Sequence, residues 1–165
     1  MEAQTRPERP VLATVVAIVG LIFGIMGLCA GPMSLSIYFV DLGPNPVVDV
    51  VKNNQLLFFY TIAAGVMGVF LTLIEVVGCI GLLTMKPWGR TLTMFYAGAA
   101  LLLLLVGTGV NAAVILPAMM SLNDPAALGG AIGGVVGSCA GVVIPIGFLL
   151  ALTRPDVVAA YSGEL

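Results

Sequence analysis

One acidic side chain lies deep inside an apolar run of this chain. It is Glu75, in the segment Val69–Leu83, VFLTLIEVVGCIGLL. A carboxyl in such a run does one of two things. It hydrogen-bonds across a helix interface, or it takes up and releases protons or cations along a pathway. Glu75 precedes Lys86 by eleven residues, about 16 Å along a helix that rises ~1.5 Å per residue. No cation lies in any apolar run. The form expected of Glu75 is therefore the protonated acid, a hydrogen-bond donor. The partners on offer are Thr14, Thr72, Ser138 and the Gly141 carbonyl, which loses its helical donor because Pro145 has no N–H. Asn111 is polar but falls in the opposite half of its own run. Both uses of Glu75 stay open. As a packing bond it contributes about 0.6 kcal/mol, rising to roughly 2. As a relay it lacks the several groups, spread across the membrane, that a pathway usually needs.

Other chemistry is poorly supplied. The chain has no histidine, which removes a necessary part of the common zinc, haem, Cys-His and Ser-His arrangements. Cys29, Cys79 and Cys139 all fall in apolar runs and read as small packing residues. Asp41 and Asp49 flank a segment with Gly43, Pro44 and Pro46, and read as loop surface. The glycine-rich GGAIGGVVG, Gly129–Gly137, has no lysine beside it and lies in an apolar run, so it is no phosphate loop. No catalytic residue, metal or cofactor is expected.

The elements that must position Glu75 follow from composition. Apolar residues make up 60% and charged residues 8% of the 165, against about 25% charged in soluble domains. Spanning a ~30 Å hydrocarbon core takes about 20 apolar residues in helix. Four runs qualify: residues 11–40, interrupted at Gly31-Pro32, then 56–85, 91–116 and 126–152. None alternates as a barrel strand does, and helices satisfy their own backbone in lipid. The expectation is an all-α, integral membrane four-helix bundle forming a single domain. Asp124 and Pro125 are placed as N-cap and first residue of the fourth helix. Pro117 is expected to follow the third, and Pro87 and Gly89 to break the chain in the 86–90 turn. Basic residues sit at Arg6, Arg9, Lys86, Arg90 and Arg154, with Lys52 alone on the other side. The positive-inside rule then places both termini and the 86–90 turn in the cytoplasm, and loops 41–55 and 117–125 outside. A cleaved or lipidated start is not expected: the first run exceeds a signal core, and Leu28 precedes Cys29. The net charge of −2 and the lack of a basic face argue against nucleic acid.

Small residues carry the only long-range regularity. Gly20, Gly24, Gly27 and Gly31 share one face of the first helix, and Gly129, Gly133, Gly137 and Gly141 recur every four residues in the fourth. In lipid, helices associate through close packing that small residues permit. Each face either holds the bundle together or receives a second copy or another membrane protein. Gly65, Gly68, Thr72, Glu75 and Cys79 form a third stripe, opposite Phe70, Leu73 and Val77. This turns Glu75 toward the bundle interior.

Two segments carry a resemblance. LLTMKPWGR, Leu82–Arg90, and LTRPDVVAAY, Leu152–Tyr161, resemble the central turn and the ending of small bacterial four-helix membrane proteins. The patterns are K-x-W-[AG]-R and L-[TN]-R-P-[ED]-V-K-x-A-[FY]; Val158 stands where the ending usually has a basic residue. The resemblance implies a multi-pass protein of a bacterial inner membrane and brings no site residues. On physical grounds Lys86, Trp88, Arg90 and Arg154 read as interfacial anchors. Pro155 starts a short helix with Asp156 in its first turn, and VVAAY is expected along the inner surface. The function expected is non-enzymatic: a structural or accessory protein, packing with itself or a larger complex. The alternative is a small oligomeric channel or proton-linked transporter using Glu75.

Overall fold

The computed structural model describes residues 10–40, 43, 45–121 and 125–162. Four helices are long and apolar enough to cross a bilayer. The first, α1, is Val11–Ser36. A short helix, α2, follows at Pro46–Asn53. The second span, α3, is Gln55–Leu83. The third is α4, Pro87–Val110, continued by a π-helical turn at Asn111–Ile115 and by α5, Leu116–Ser121. The fourth is α6, Pro125–Gly141, and α7, Val143–Leu152. A last short helix, α8, is Pro155–Ser162. The chain is an all-α four-helix bundle and a multi-pass membrane protein.

Prolines shape three spans in three ways, and at Pro32 and Pro117 the outcome differs from the sequence expectation. Pro32 does not interrupt α1, which runs through it to Ser36. Ser34 and Ser36 donate back to the Gly31 and Met33 carbonyls at 2.8 and 2.7 Å, supporting the last turn. Pro117 does not end the third span. The π turn lets the Leu116 N–H reach the Asn111 carbonyl. The helix is thereby re-registered just before a residue that has no N–H to give. Pro145 divides the fourth span at Val142, whose backbone stays helical at φ −64°, ψ −27°. Residues 122–124, and so Asp124, lie outside the described residues, but Pro125 does open α6.

The 41–55 connection contains structure as well. Asn45 caps α2, its side chain accepting from the Val47 and Val48 N–H groups at 3.1 and 3.3 Å, with Pro46 at the first helical position. Val48 and Val51 are buried while Asp49 and Lys52 are exposed. Asn54 then caps α3 through the Leu57 N–H.

The α3–α4 turn closes by a different device from the one expected. Met85 takes φ 55°, the left-handed region. The Lys86 N–H bonds the Gly81 carbonyl at 2.9 Å and the Met85 N–H bonds Leu82 at 3.1 Å, a Schellman closure. Gly89 breaks nothing. It lies inside α4, and its open side is what allows α3 and α4 to touch: a Cβ there would stand 2.5 Å from Leu82 N.

Around the bundle, α1 packs on α3, α3 on α4, α4 on α7 and α7 on α1. The main core lies at the α8 end, where Val16, Ala17, Cys79, Leu82, Ala97, Phe148 and Leu152 pack together. Val157 and Tyr161 of α8 join it, so the C-terminal segment folds against the bundle instead of lying free on the surface. The Tyr161 hydroxyl donates to the Leu82 carbonyl at 2.7 Å. At the other end a smaller cluster holds Met119 and Ala131 beneath Val47 and Val50 of α2.

Candidate functional site

Glu75 is 2% exposed, while Phe70, Leu73 and Val77 on the other faces of α3 are exposed. Three helices enclose it. From α1, Gly24 faces it: a Cβ at that position would lie 3.5 Å from Oε2, an ordinary contact distance, and 2.7 Å from Val76 Cγ2. From α4, the Tyr96 phenol stands beside the carboxyl. One turn along α3 lies Cys79, fully buried. Oε1 has no hydrogen-bond partner. Each missing bond at a buried polar atom costs about 1–3 kcal/mol, so among the described residues this oxygen is the clear electrostatic liability of the core.

Tyr96, not the Gly141 carbonyl, is thus the polar neighbour of Glu75. Antiparallel register explains it. Glu75 stands ten residues before Met85 and Tyr96 ten residues after Lys86, so a tight hairpin brings them level. The same rule puts Gly78 against Thr93 and Gly81 against Gly89. That symmetry about the turn was the sequence signal available for Tyr96. Helix four neighbours α4 and α1 and lies across the bundle from α3, which leaves its proline break away from Glu75.

The remaining polar residues gather on one side. A cleft of about 270 Å³ runs between α3, α4 and α6, lined by Thr72, Tyr96, Asn111 and Ser138 among Gly68, Leu71, Ala100, Leu103, Leu104 and Gly107. The Thr72 and Ser138 hydroxyls donate to the Gly68 and Gly134 carbonyls at 2.8 and 2.7 Å. Asn111 Nδ2 donates to the Gly107 carbonyl at 3.0 Å. The acceptor oxygens of all three remain for other donors. A second cleft, of about 370 Å³, lies between α1 and α3 and shares Gly68 and Thr72 with the first. Both lie on the side of Glu75 toward α2; the first reaches Tyr96, and the second stops one turn short at Thr72.

The two glycine rows differ. The first is filled by α3: Cβ atoms at Gly20, Gly24, Gly27 and Gly31 would meet Cys79, Val76, Thr72 and Val69 at 2.5–3.1 Å. In the second, Gly129, Gly133 and Gly137 have nothing within 4 Å, and Gly141 meets only Leu104, at 3.8 Å. Among the proposed anchors, the Trp88 ring covers Gly81 and remains 47% exposed. Arg90 instead caps α7, Nε donating to the Leu152 carbonyl at 2.9 Å, a favourable place for a cation. Lys86 and Arg154 are exposed.

Among the described residues no three His, Cys, Asp or Glu side chains are grouped to hold a metal ion. Comparison with known protein families, with curated proteins and with solved structures found no match to this chain.

Proposed function

We propose that the chain is a non-enzymatic accessory protein of a bacterial inner membrane, and that it docks on a membrane-spanning partner through α6. The observation that carries this reading is the contrast between the two glycine rows. One is filled from within the chain and the other, at Gly129, Gly133 and Gly137, faces open space. In lipid a bare glycine row gains nothing by itself; its value is the close approach of another backbone. Ile132 and Val136 beside it are exposed as well. With the termini and the 86–90 turn in the cytoplasm, as the charge pattern favours, this surface lies in the outer half of the bilayer.

The test is isolation from native membranes in mild detergent, followed by mass determination and identification of what co-purifies. A complex, with further copies of the chain or with another membrane protein, is expected, and Gly133→Leu with Gly137→Leu should disperse it. A bare monomer in wild type, or a complex indifferent to both substitutions, refutes the docking role.

A second reading is a small oligomeric channel or proton-linked transporter. The observation favouring it is Glu75 Oε1, buried and without a partner. Proton-dependent flux in proteoliposomes that survives Glu75→Gln would dispose of it.

A further inference from the structure

We propose that Glu75 is a proton-binding site reached from one side of the membrane only, the side bearing α2, through the cleft that ends at Tyr96. The inference concerns access. It stands whether or not the chain also passes the proton on, and it does not depend on the docking role of α6.

Three observations carry it. First, the carboxyl is buried, and one oxygen is left without a partner. A proton at that oxygen removes the charge that burial penalises most. Second, Tyr96 stands between the carboxyl and the space above it: its phenol neighbours Glu75, and its side chain also forms a wall of the cleft. A cleft of about 270 Å³ is wide enough to admit water. The acceptor oxygens of Thr72, Asn111 and Ser138 give water the polar partners it requires. Third, the opposite direction is closed. Toward α8, Gly78 abuts Thr93, Gly81 abuts Gly89, and Leu82 and Leu152 are fully packed.

The transfer balances simply. A hydrated proton in the cleft passes to the Tyr96 oxygen as that hydroxyl's own proton moves to the Glu75 carboxylate, and release reverses both steps. No charged side chain competes. The titratable groups nearest Glu75 are Tyr96 on α4 and Cys79 on α3; α7 contains none, and α1 contains only Cys29, which is exposed.

Dicyclohexylcarbodiimide, an apolar reagent that adds to protonated carboxyls, reports the state of Glu75 in proteoliposomes. Orientation is read from modification of Lys52 against Lys86 by an impermeant amine reagent. Buffers inside and outside are set independently, and adducts at Glu75 are counted by mass spectrometry, with Glu75→Gln as the blank. Raising the pH on the α2 side should reduce labelling, approaching about tenfold per pH unit once the carboxyl is mostly ionised. Raising it on the α8 side should leave labelling unchanged. Gly68→Leu fills both clefts from a position with nothing within 4 Å of its Cβ, so the fold should tolerate it while the response to α2-side pH slows. Tyr96→Phe should slow that response too. Labelling that follows the α8-side pH, follows both sides equally, ignores both, or never occurs would overturn the proposal. So would a Gly68→Leu variant that responds as fast as wild type.

Discussion

The same substitution, glycine to alanine, should have opposite effects at Gly89 and at Gly133. In a helix interior alanine is favoured over glycine by about 0.8–1 kcal/mol. Gly133 has nothing within 4 Å of a Cβ, so Gly133→Ala should realise much of that gain in the detergent-solubilised monomer. At Gly89 the added methyl would stand 2.5 Å from Leu82 N and 2.7 Å from Gly81 Cα. Carbon atoms pack optimally near 3.5–4.0 Å, so α3 and α4 must part by about 1 Å. The atoms in the way are backbone and cannot rotate aside. Overpacking of this kind costs about 1–3 kcal/mol, more than the propensity gain offsets. The damage should spread, because Tyr161 bonds Leu82 and Arg90 bonds Leu152 at the same end. The measurement is unfolding of both variants in mild detergent by denaturant titration, followed by circular dichroism. Gly89→Ala should be the less stable of the two by about 1–3 kcal/mol. Equal stability, or a more stable Gly89→Ala, would falsify the argument that the backbones of α3 and α4 touch there.

Met85→Gly should stabilise the protein by about 0.5–1 kcal/mol in the same titration, since a left-handed non-glycine residue costs about 1–2 kcal/mol and glycine gives part of that back as chain entropy; a loss of stability counts against the Schellman closure. Tyr161→Phe removes the bond to Leu82, which keeps the Met85 N–H as a second donor. It should therefore cost only about 1 kcal/mol, with faster hydrogen exchange confined to α8; exchange spreading through α3 would contradict this. Asn45→Ala strips α2 of its cap at a local cost of about 1 kcal/mol, and amide exchange at Val47 and Val48 should rise while α4 is unaffected. Glu75→Ala should destabilise more than Glu75→Gln, because alanine leaves a void beside the Tyr96 phenol and removes its polar neighbour; equal losses would argue against a polar contact between the two side chains.

The sequence by itself determined the class, the number of spans and the inward turn of Glu75. Composition forces the chain into lipid, lipid forces it into helices, and a period of three and four residues puts Glu75 on a stripe with Gly68 and Thr72. These follow from forces that act within one helix or between a helix and its solvent. What prolines do was less legible. Pro32, Pro117 and Pro145 look alike in sequence, yet one is absorbed, one is skirted by a π turn and one splits its helix. The sequence shows the missing N–H in each case, and the backbone around it decides the outcome: α1 continues, the third span shifts register, and α6 gives way to α7. Only the tertiary structure decided which glycine row is spent inside the chain and which is left bare, because both rows have the same spacing and differ only in what packs beside them. It also decided which polar side chain stands beside Glu75. That pairing is set by antiparallel register about the Met85–Lys86 turn, and no pattern within α3 alone contains the residue that faces it from α4.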